Sequence, residues 1–313
     1  MAAIVTERLV KEFIKVRAVD ELTLTVNEGA IFGFLGPNGA GKTTTIRMLT
    51  GMARPTRGRA VVAGVDLAND GQVRSKIGYL PEEPAFYTWM SPLEYLDHVG
   101  RLFGLSSTDR KERAKALLER VGLSEVSKRR IRGFSRGMRQ RLGIAQALVN
   151  RPAVLFLDEP VSALDPIGRK EVLDLIEGLR GQCTVFMSTH ILADVERVCD
   201  TVGIIDRGRV LVEANQAELL SRYTIPAFAL ECEPGSNAAF AKWVAGLHRF
   251  DWVAGVMVDG TTARVTVNHV NAARAVLLHE VAASGLPIRR YEVVTPSLED
   301  IFLKLVGEER RTL

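Results

Sequence analysis

Residues 31–48 read IFGFLGPNGAGKTTTIRM. Ile31 to Leu35 is a short continuous apolar run, the pattern of a strand covered on both faces. Gly36, Gly39 and Gly41 follow within six positions, then Lys42, Thr43 and Thr44, and a helical pattern begins at Ile46, Met48 and Leu49. Strand, glycine loop and helix in that order are the setting of a phosphate-binding P-loop, and GPNGAGKT satisfies G-x-x-x-x-G-K-[ST]. The glycines let backbone N–H groups curl around phosphate oxygens, and the helix N-terminus adds its positive dipole. In that arrangement Lys42 reaches the β- and γ-phosphates and the Thr43 hydroxyl holds Mg²⁺. The expected cradle is therefore Gly36, Pro37, Asn38, Gly39, Ala40, Gly41, Lys42, Thr43 and Thr44. Such a match arises by chance roughly once in tens of thousands of positions, so the first expectation is a nucleoside triphosphate site.

Composition narrows the setting. The chain has 313 residues, 47% hydrophobic and 25% charged, with a formal charge of +4. That is ordinary for a globular protein and long enough for one large and one small domain. No apolar stretch approaches the roughly 18 to 20 residues that span a bilayer. The opening MAAIVTERLVKEF carries acids and no continuous apolar core, so it does not read as a signal peptide. Cys183, Cys199 and Cys232 have neither metal-site nor disulfide spacing and fit buried thiols in a reducing cytoplasm.

Outward from the P-loop, Ala2 to Val10 and Leu22 to Val26 read as a β-ribbon, with Phe13 between them. Phe13 is either a packing residue or a platform for an adenine ring. Strands are expected at Ala60 to Ala63 and Ile77 to Leu80, the latter running into Pro81-Glu82-Glu83-Pro84, where the prolines exclude helix. From Ser91 to about Gln146 the spacing turns helical; Asp109 and Glu112 resemble a capping box, Gly122 a stop, and a further helix begins after Phe134-Ser135-Arg136-Gly137. Buried-strand runs return at Ala153 to Leu157, Thr184 to Met187 and Val202 to Ile205, alternating with helices. A boundary is expected near residues 223 to 226. Beyond it the order is strand, helix, two strands, helix, strand, compatible with a ferredoxin-like sandwich, and then an amphipathic helix over 297–306.

The run AVLFLDEP, residues 153–160, is an apolar strand that surfaces as two carboxylates. Asp158 is a candidate Mg²⁺ ligand and Glu159 a general base for an attacking water. His190 closes the strand at Thr184 to Met187, which is expected beside that of Asp158, and could orient the same water. Ser162 to Asp165 is a tight turn whose Asp165 could cap the next helix. Seven basic residues crowd Lys128 to Arg141. Without interleaved aromatics they read as a solvated helix face rather than a nucleic-acid patch.

Taken together, GPNGAGKT, FSRGMRQR, VLFLDEP, SALD and STH, in that order over about residues 3–222, resemble the nucleotide-binding subunit of an ATP-binding cassette (ABC) transporter. The resemblance implies ATP and Mg²⁺ as ligands, Phe13 as the adenine-stacking aromatic and Asp158 and Glu159 as the Walker B pair. It also implies Ser162 to Asp165 as the D-loop, His190 as the switch histidine and Ser135 to Gly137 as the signature. In that family the signature, usually LSGGQ, caps the ATP bound by the opposite subunit of a head-to-tail dimer. Two positions depart from the pattern: Arg136 replaces the first signature glycine, and Glu82 stands where a Mg²⁺-binding Gln is usual. A carboxylate keeps the oxygen ligand and adds charge, so altered Mg²⁺ dependence is expected.

The implied fold is α/β: a P-loop NTPase core over 1–222 with an antiparallel β subdomain and a helical subdomain at about 85–146. A small C-terminal α+β domain of ferredoxin-like type follows over 223–313. Phe86, Tyr87, Trp89 and Met90 suit a socket for a helix of an integral-membrane permease. The tail ending PSLEDIFLKLVGE resembles exporter ATPases with a separate permease chain, including drug and antibiotic efflux systems. The expected function is ATP hydrolysis coupled to export, by a homodimer held at the cytoplasmic face of the membrane through its permease and without nucleic acid. The alternatives are a soluble ABC ATPase acting on nucleic acid or ribosomes, which usually carries two cassettes or a coiled-coil insertion, and an importer ATPase with a regulatory tail.

Overall fold

The computed structural model describes residues 1–68, 72–223, 227–294, 298–299 and 301–302. The chain divides into two compact units, Met1–Gln216 and Ala217–Leu313. The first opens on a hairpin of β1 (Ala2–Phe13) and β2 (Val16–Asn27), and both strands outrun the alternation read from sequence. Register shifts between Thr6 and Leu9 and around Lys11 absorb the breaks in alternation, with Arg8 and Glu21 at positive φ. Next come β3 (Ile31–Leu35), α1 (Lys42–Leu49), β4 (Arg57–Val62), β5 (Val65–Asp66) and β6 (Ile77–Leu80). The antiparallel sheet runs β2-β1-β4-β5.

The helical segment holds α2 (Pro92–Leu102), α3 (Ser107–Arg120) and α4 (Arg136–Ala147). Ser91 and Glu94 form a full capping box on α2. The box expected at Asp109 and Glu112 is displaced: Ser106 caps α3 and Asp109 is its third residue, so the helix starts one turn earlier. Ser106 precedes a polar turn with no apolar residue to mark it, which hides the start from periodicity. Gly122, at φ 65°, ends the helix region as expected.

The chain then returns through β7 (Val154–Asp158), α5 (Pro166–Glu177), β8 (Thr184–Thr189), α6 (Leu192–Val198), β9 (Thr201–Asp206) and β10 (Arg209–Asn215). The main sheet is ordered β10-β9-β3-β8-β7-β6, parallel from β9 to β6, with β10 antiparallel at one edge. Phe32, Phe34, Phe156 and Phe186 fill its centre, with ring centroids 5.2 Å apart for both Phe32–Phe186 and Phe34–Phe186. Leu9, Val19, Leu24 and Val62 of the antiparallel sheet join the same core. The two sheets are thereby fixed against each other.

Around the unit boundary lies α7 (Gln216–Tyr223). The second unit continues with β11 (Ala227–Cys232), α8 (Asn237–Gly246), β12 (Val253–Asp259), β13 (Thr262–Val267), α9 (Val270–Ala283) and β14 (Ile288–Val294). Its strand order β12-β13-β11-β14, with all neighbours antiparallel, is the ferredoxin-like topology that the βαββαβ order predicts. Phe228, Leu230, Val265, Phe240, Val244 and Leu277 form its own core. The last helix expected over 297–306 lies mostly outside the described residues; of it, Leu298 and Ile301 are buried.

All three cysteines are buried and free, and burial pushes the Cys183 thiol up to about 11. Gly78 is where α4 meets the edge of the main sheet, because a Cβ there would collide with the Ala147 carbonyl. Gly78→Ala is expected to destabilise the first unit by about 1–3 kcal/mol through overpacking. Urea unfolding measures it; an unchanged midpoint would mean that α4 is not seated closely on β6.

Candidate active site

Sheet order assembles the site. Because β8 lies between β3 and β7, the loops leaving their C-terminal ends are neighbours. Ligands in open parallel sheets gather at this kind of strand edge. A cavity of about 390 Å³ lies there, lined by Ala18, Asn38, Gly39, Gly41, Lys42, Thr43, Thr44, Glu82, Glu159, Ser162 and His190.

The P-loop is held open by conformation. Gly39 and Gly41 adopt φ of 81° and 106°, and a Cβ on Gly41 would strike the Ala18 carbonyl of β2. Gly41 is the N-cap of α1 and no side chain caps that helix. Its first amides are therefore left to a ligand, unlike those of α2, α3 and α4. The buried Lys42 ammonium donates to the carbonyls of Gly36 at 2.7 Å and Pro37 at 3.2 Å. It also lies 3.3 Å from Glu159 Oε1.

Glu159 follows β7 in the left-handed region, φ 47°, which turns its side chain away from strand alternation. Its Oε2 is 2.9 Å from His190 Nδ1, so one carboxylate oxygen meets the lysine and the other the histidine. Thr43 Oγ1 donates to Asp158 Oδ1 at 3.2 Å. Ser188 Oγ donates to the same oxygen at 2.6 Å and accepts from the Glu159 amide at 3.1 Å. Ser188 thus ties both acids to β8. Sequence reading passed over it, since a small hydroxyl at a strand end carries no signal of its own.

Asp194 on α6 is ion-paired with Arg169 on α5 at 2.6 Å. Burial pushes its carboxyl up, and Arg169 offsets only part of that. The pair links the helix after Ser162–Asp165 to the helix after His190. Asp165 occupies the N-cap position of α5, but its side chain makes no cap hydrogen bond, contrary to the capping role considered for it.

Other predicted residues lie apart. Phe13 ends β1, 56% exposed, with Lys11 Nζ 5.2 Å from the ring centroid, and is not among the residues lining the cavity. The wall on the hairpin side is Ala18, a residue too plain to flag. Its exposure excludes a place in the core, and packing within the hairpin, against Lys11, stands beside the adenine reading. Ser135 caps α4, its hydroxyl accepting from the Met138 amide at 3.2 Å. Ser135 and Arg136 are exposed, a Cβ on Gly137 would meet nothing within 4 Å, and none of the three lines the cavity. Several of the crowded basic residues are used locally: Arg129 bonds the Gly133 carbonyl, Arg130 the Trp89 carbonyl, and Arg141 the Val121 carbonyl.

The donor set fits Mg²⁺. Thr43 and Asp158 offer hard oxygens 3.2 Å apart, and the Glu82 carboxylate lines the same cavity. A hydroxyl, one or two carboxylates and substrate phosphates are how that ion is usually held.

Residues 19–162 match the ABC transporter family, and residues 216–306 match the C-terminal domain described as ATP-binding protein DrrA1-3-like. An ABC transporter ATP-binding protein of Bacillus subtilis, YxlF, is 41% identical over 96% of this chain and 98% of its own. The daunorubicin/doxorubicin resistance ATP-binding protein DrrA of Streptomyces peucetius is 34% identical over 97% of this chain and 92% of its own. A solved ATP-binding subunit of an ABC transporter superposes with a TM-score of 0.64 at 29% identity, covering 71% of this chain and 93% of that one. The chain belongs to the ABC transporter ATP-binding proteins and is an ATPase.

Ser188→Ala should leave the Asp158 carboxylate and the Glu159 amide each a partner short. We expect a stability loss of about 1–3 kcal/mol and a fall in ATPase rate on the order of tenfold. Unfolding and steady-state hydrolysis measure both, and a wild-type rate would show that the tie to β8 is dispensable.

Proposed function

We propose that this chain powers export through a separate integral-membrane permease. It works at the cytoplasmic face as a head-to-tail homodimer that encloses ATP between each P-loop and the opposite signature. The observation that carries the dimer is the separation of the two halves of the site. Lys42, Thr43, Glu159 and His190 converge on one cavity, while Ser135 and Arg136 stand exposed and, like Gly137, are not among the residues lining it, at a helix N-terminus whose dipole suits phosphate. Export is supported by the DrrA-like C-terminal domain and by the resistance function in the Streptomyces relative's name.

In this reading the P-loop amides and Lys42 bind the phosphates. Mg²⁺, held by Thr43 and Asp158 with Glu82 alongside, would neutralise their charge. Glu159 takes a proton from water as the water oxygen bonds to the γ-phosphorus and the bond to the β–γ bridging oxygen breaks, leaving ADP and phosphate. His190 keeps the Glu159 carboxylate oriented. Phe13 stacks on the adenine from the hairpin end.

The permease seat is the aromatic surface at Phe86, Tyr87, Trp89 and Met90; none of the four lines the cavity of about 420 Å³ that opens beside Val99 and Phe103 of α2. Tyr87 and Trp89 are 52% and 62% exposed, Tyr87 meets Tyr95 and His98 of α2 edge-to-face, and Phe86 packs edge-on to Tyr95. Such apolar exposure suits a helix from a membrane partner.

The direct test is Glu159→Gln, which should abolish hydrolysis and yield an ATP-dependent dimer on a sizing column; a monomer with saturating ATP contradicts the reading. With the permease present, Phe86→Ala with Trp89→Ala should abolish transport and leave that ATP-dependent dimer intact. Unimpaired transport would place the seat elsewhere.

A further inference from the structure

Glu82 and Arg136 are the two positions that depart from the resembled pattern, and their signs are opposite. Glu82 is exposed on the loop after β6 and lines the ATP cavity. It adds a third carboxylate to Asp158 and Glu159, against the single ammonium of Lys42. ATP brings further negative charge to that cavity, so a cation beyond Lys42 and Mg²⁺ would still be favoured at its rim. Arg136 is an exposed guanidinium in the first turn of α4, directly after Ser135, and forms no ion pair among the described residues. Neither residue is satisfied by the other within one chain. It is Gly143, seven residues further along α4, that packs on Leu80 and Pro84 beside Glu82. Arg136 lies about 10 Å back from it, at the N-terminal end of the helix.

We propose that Arg136 of one subunit pairs with Glu82 of the other when ATP closes the dimer, so that the extra carboxylate and the extra guanidinium form one interfacial ion pair. The inference rests on the head-to-tail reading above. A neutral side chain at position 82 and a glycine at 136, as in the pattern this chain resembles, need no such pair. A carboxylate at 82 without a cation opposite would add repulsion at the phosphates, and a guanidinium at 136 brought over that cavity offsets it while gaining a carboxylate partner. Arg also suits the task geometrically, since its planar fork can meet a carboxylate with two donors. The pair would favour the ATP-bound closed state and disfavour docking onto a cassette that lacks the complementary charge.

A double-mutant cycle in the full-length Glu159→Gln chain tests this, with the dimer dissociation constant measured by sedimentation at saturating ATP. Arg136→Gly should weaken the dimer about tenfold where Glu82 is present, and less than about twofold in Glu82→Gln. Glu82→Gln should leave the melting temperature of the ATP-free monomer unchanged, and Arg136→Gly should lower it only by the small cost of a glycine in the first turn of α4, the same in both backgrounds. An equal loss from Arg136→Gly in both backgrounds would overturn the pair and assign Arg136 to the phosphate instead. No loss in either background would overturn it as well. If the Glu159→Gln chain does not dimerise with ATP at all, the head-to-tail reading itself fails, and the two failures are thereby distinguished.

Discussion

A buried ammonium governs this site. Lys42 is only 6% exposed, and a lysine so placed is tolerable only when every donor is used. Its partners are two carbonyls of the P-loop and the carboxylate of Glu159. The first two are available because the glycine loop turns its carbonyls inward. The third is available because the parallel sheet brings β7 to within one strand of β3. Ser188, on the intervening β8, holds the end of β7 in place through Asp158 and the Glu159 amide. Remove the Glu159 carboxylate and the lysine is a buried charge held by two carbonyls alone. The contacts that keep Lys42 neutralised are also the ones that hold the Asp158 and Glu159 carboxylates beside the P-loop.

Much of this was legible from residue order. The P-loop strand, the Asp158 strand and the His190 strand are unbroken apolar runs, and a strand covered on both faces leaves that trace. The C-terminal unit could be ordered from alternation alone, and its sheet topology follows. What stayed hidden lacks periodicity. The β1–β2 hairpin runs through bulges at Thr6 to Leu9 that break alternation, so its strands read short. The start of α3 at Ser106 was masked by polar residues. Ser188 and Ala18 shape the site through a hydroxyl and a backbone carbonyl, and neither residue type announces that use.

Charge also divides the molecule's two kinds of surface. Carboxylates concentrate in the cavity at the strand ends, whereas the segment leading into α4 is rich in arginine, part of it spent on local carbonyls and part exposed. A second copy turned head to tail would bring the latter surface over the former. The exposed Tyr87 and Trp89 lie on the same helical segment as that arginine-rich stretch, joined to it by backbone hydrogen bonds from Ile131 to Met90 and from Arg132 to Thr88. A movement of one on closure would therefore carry the other with it.

The central claim is that each working site is shared between two chains, and complementation between two inactive variants tests it most directly. Lys42→Ala disables the cradle of its own chain, and Ser135→Ala disables the lid it offers to the other. In a mixed dimer one site carries both defects and the opposite site carries neither. Mixing the two inactive proteins should therefore restore ATP hydrolysis to a substantial fraction of the wild-type rate. If the mixture stays as inactive as its components while mixed dimers form, the site is complete within one chain and the account is wrong.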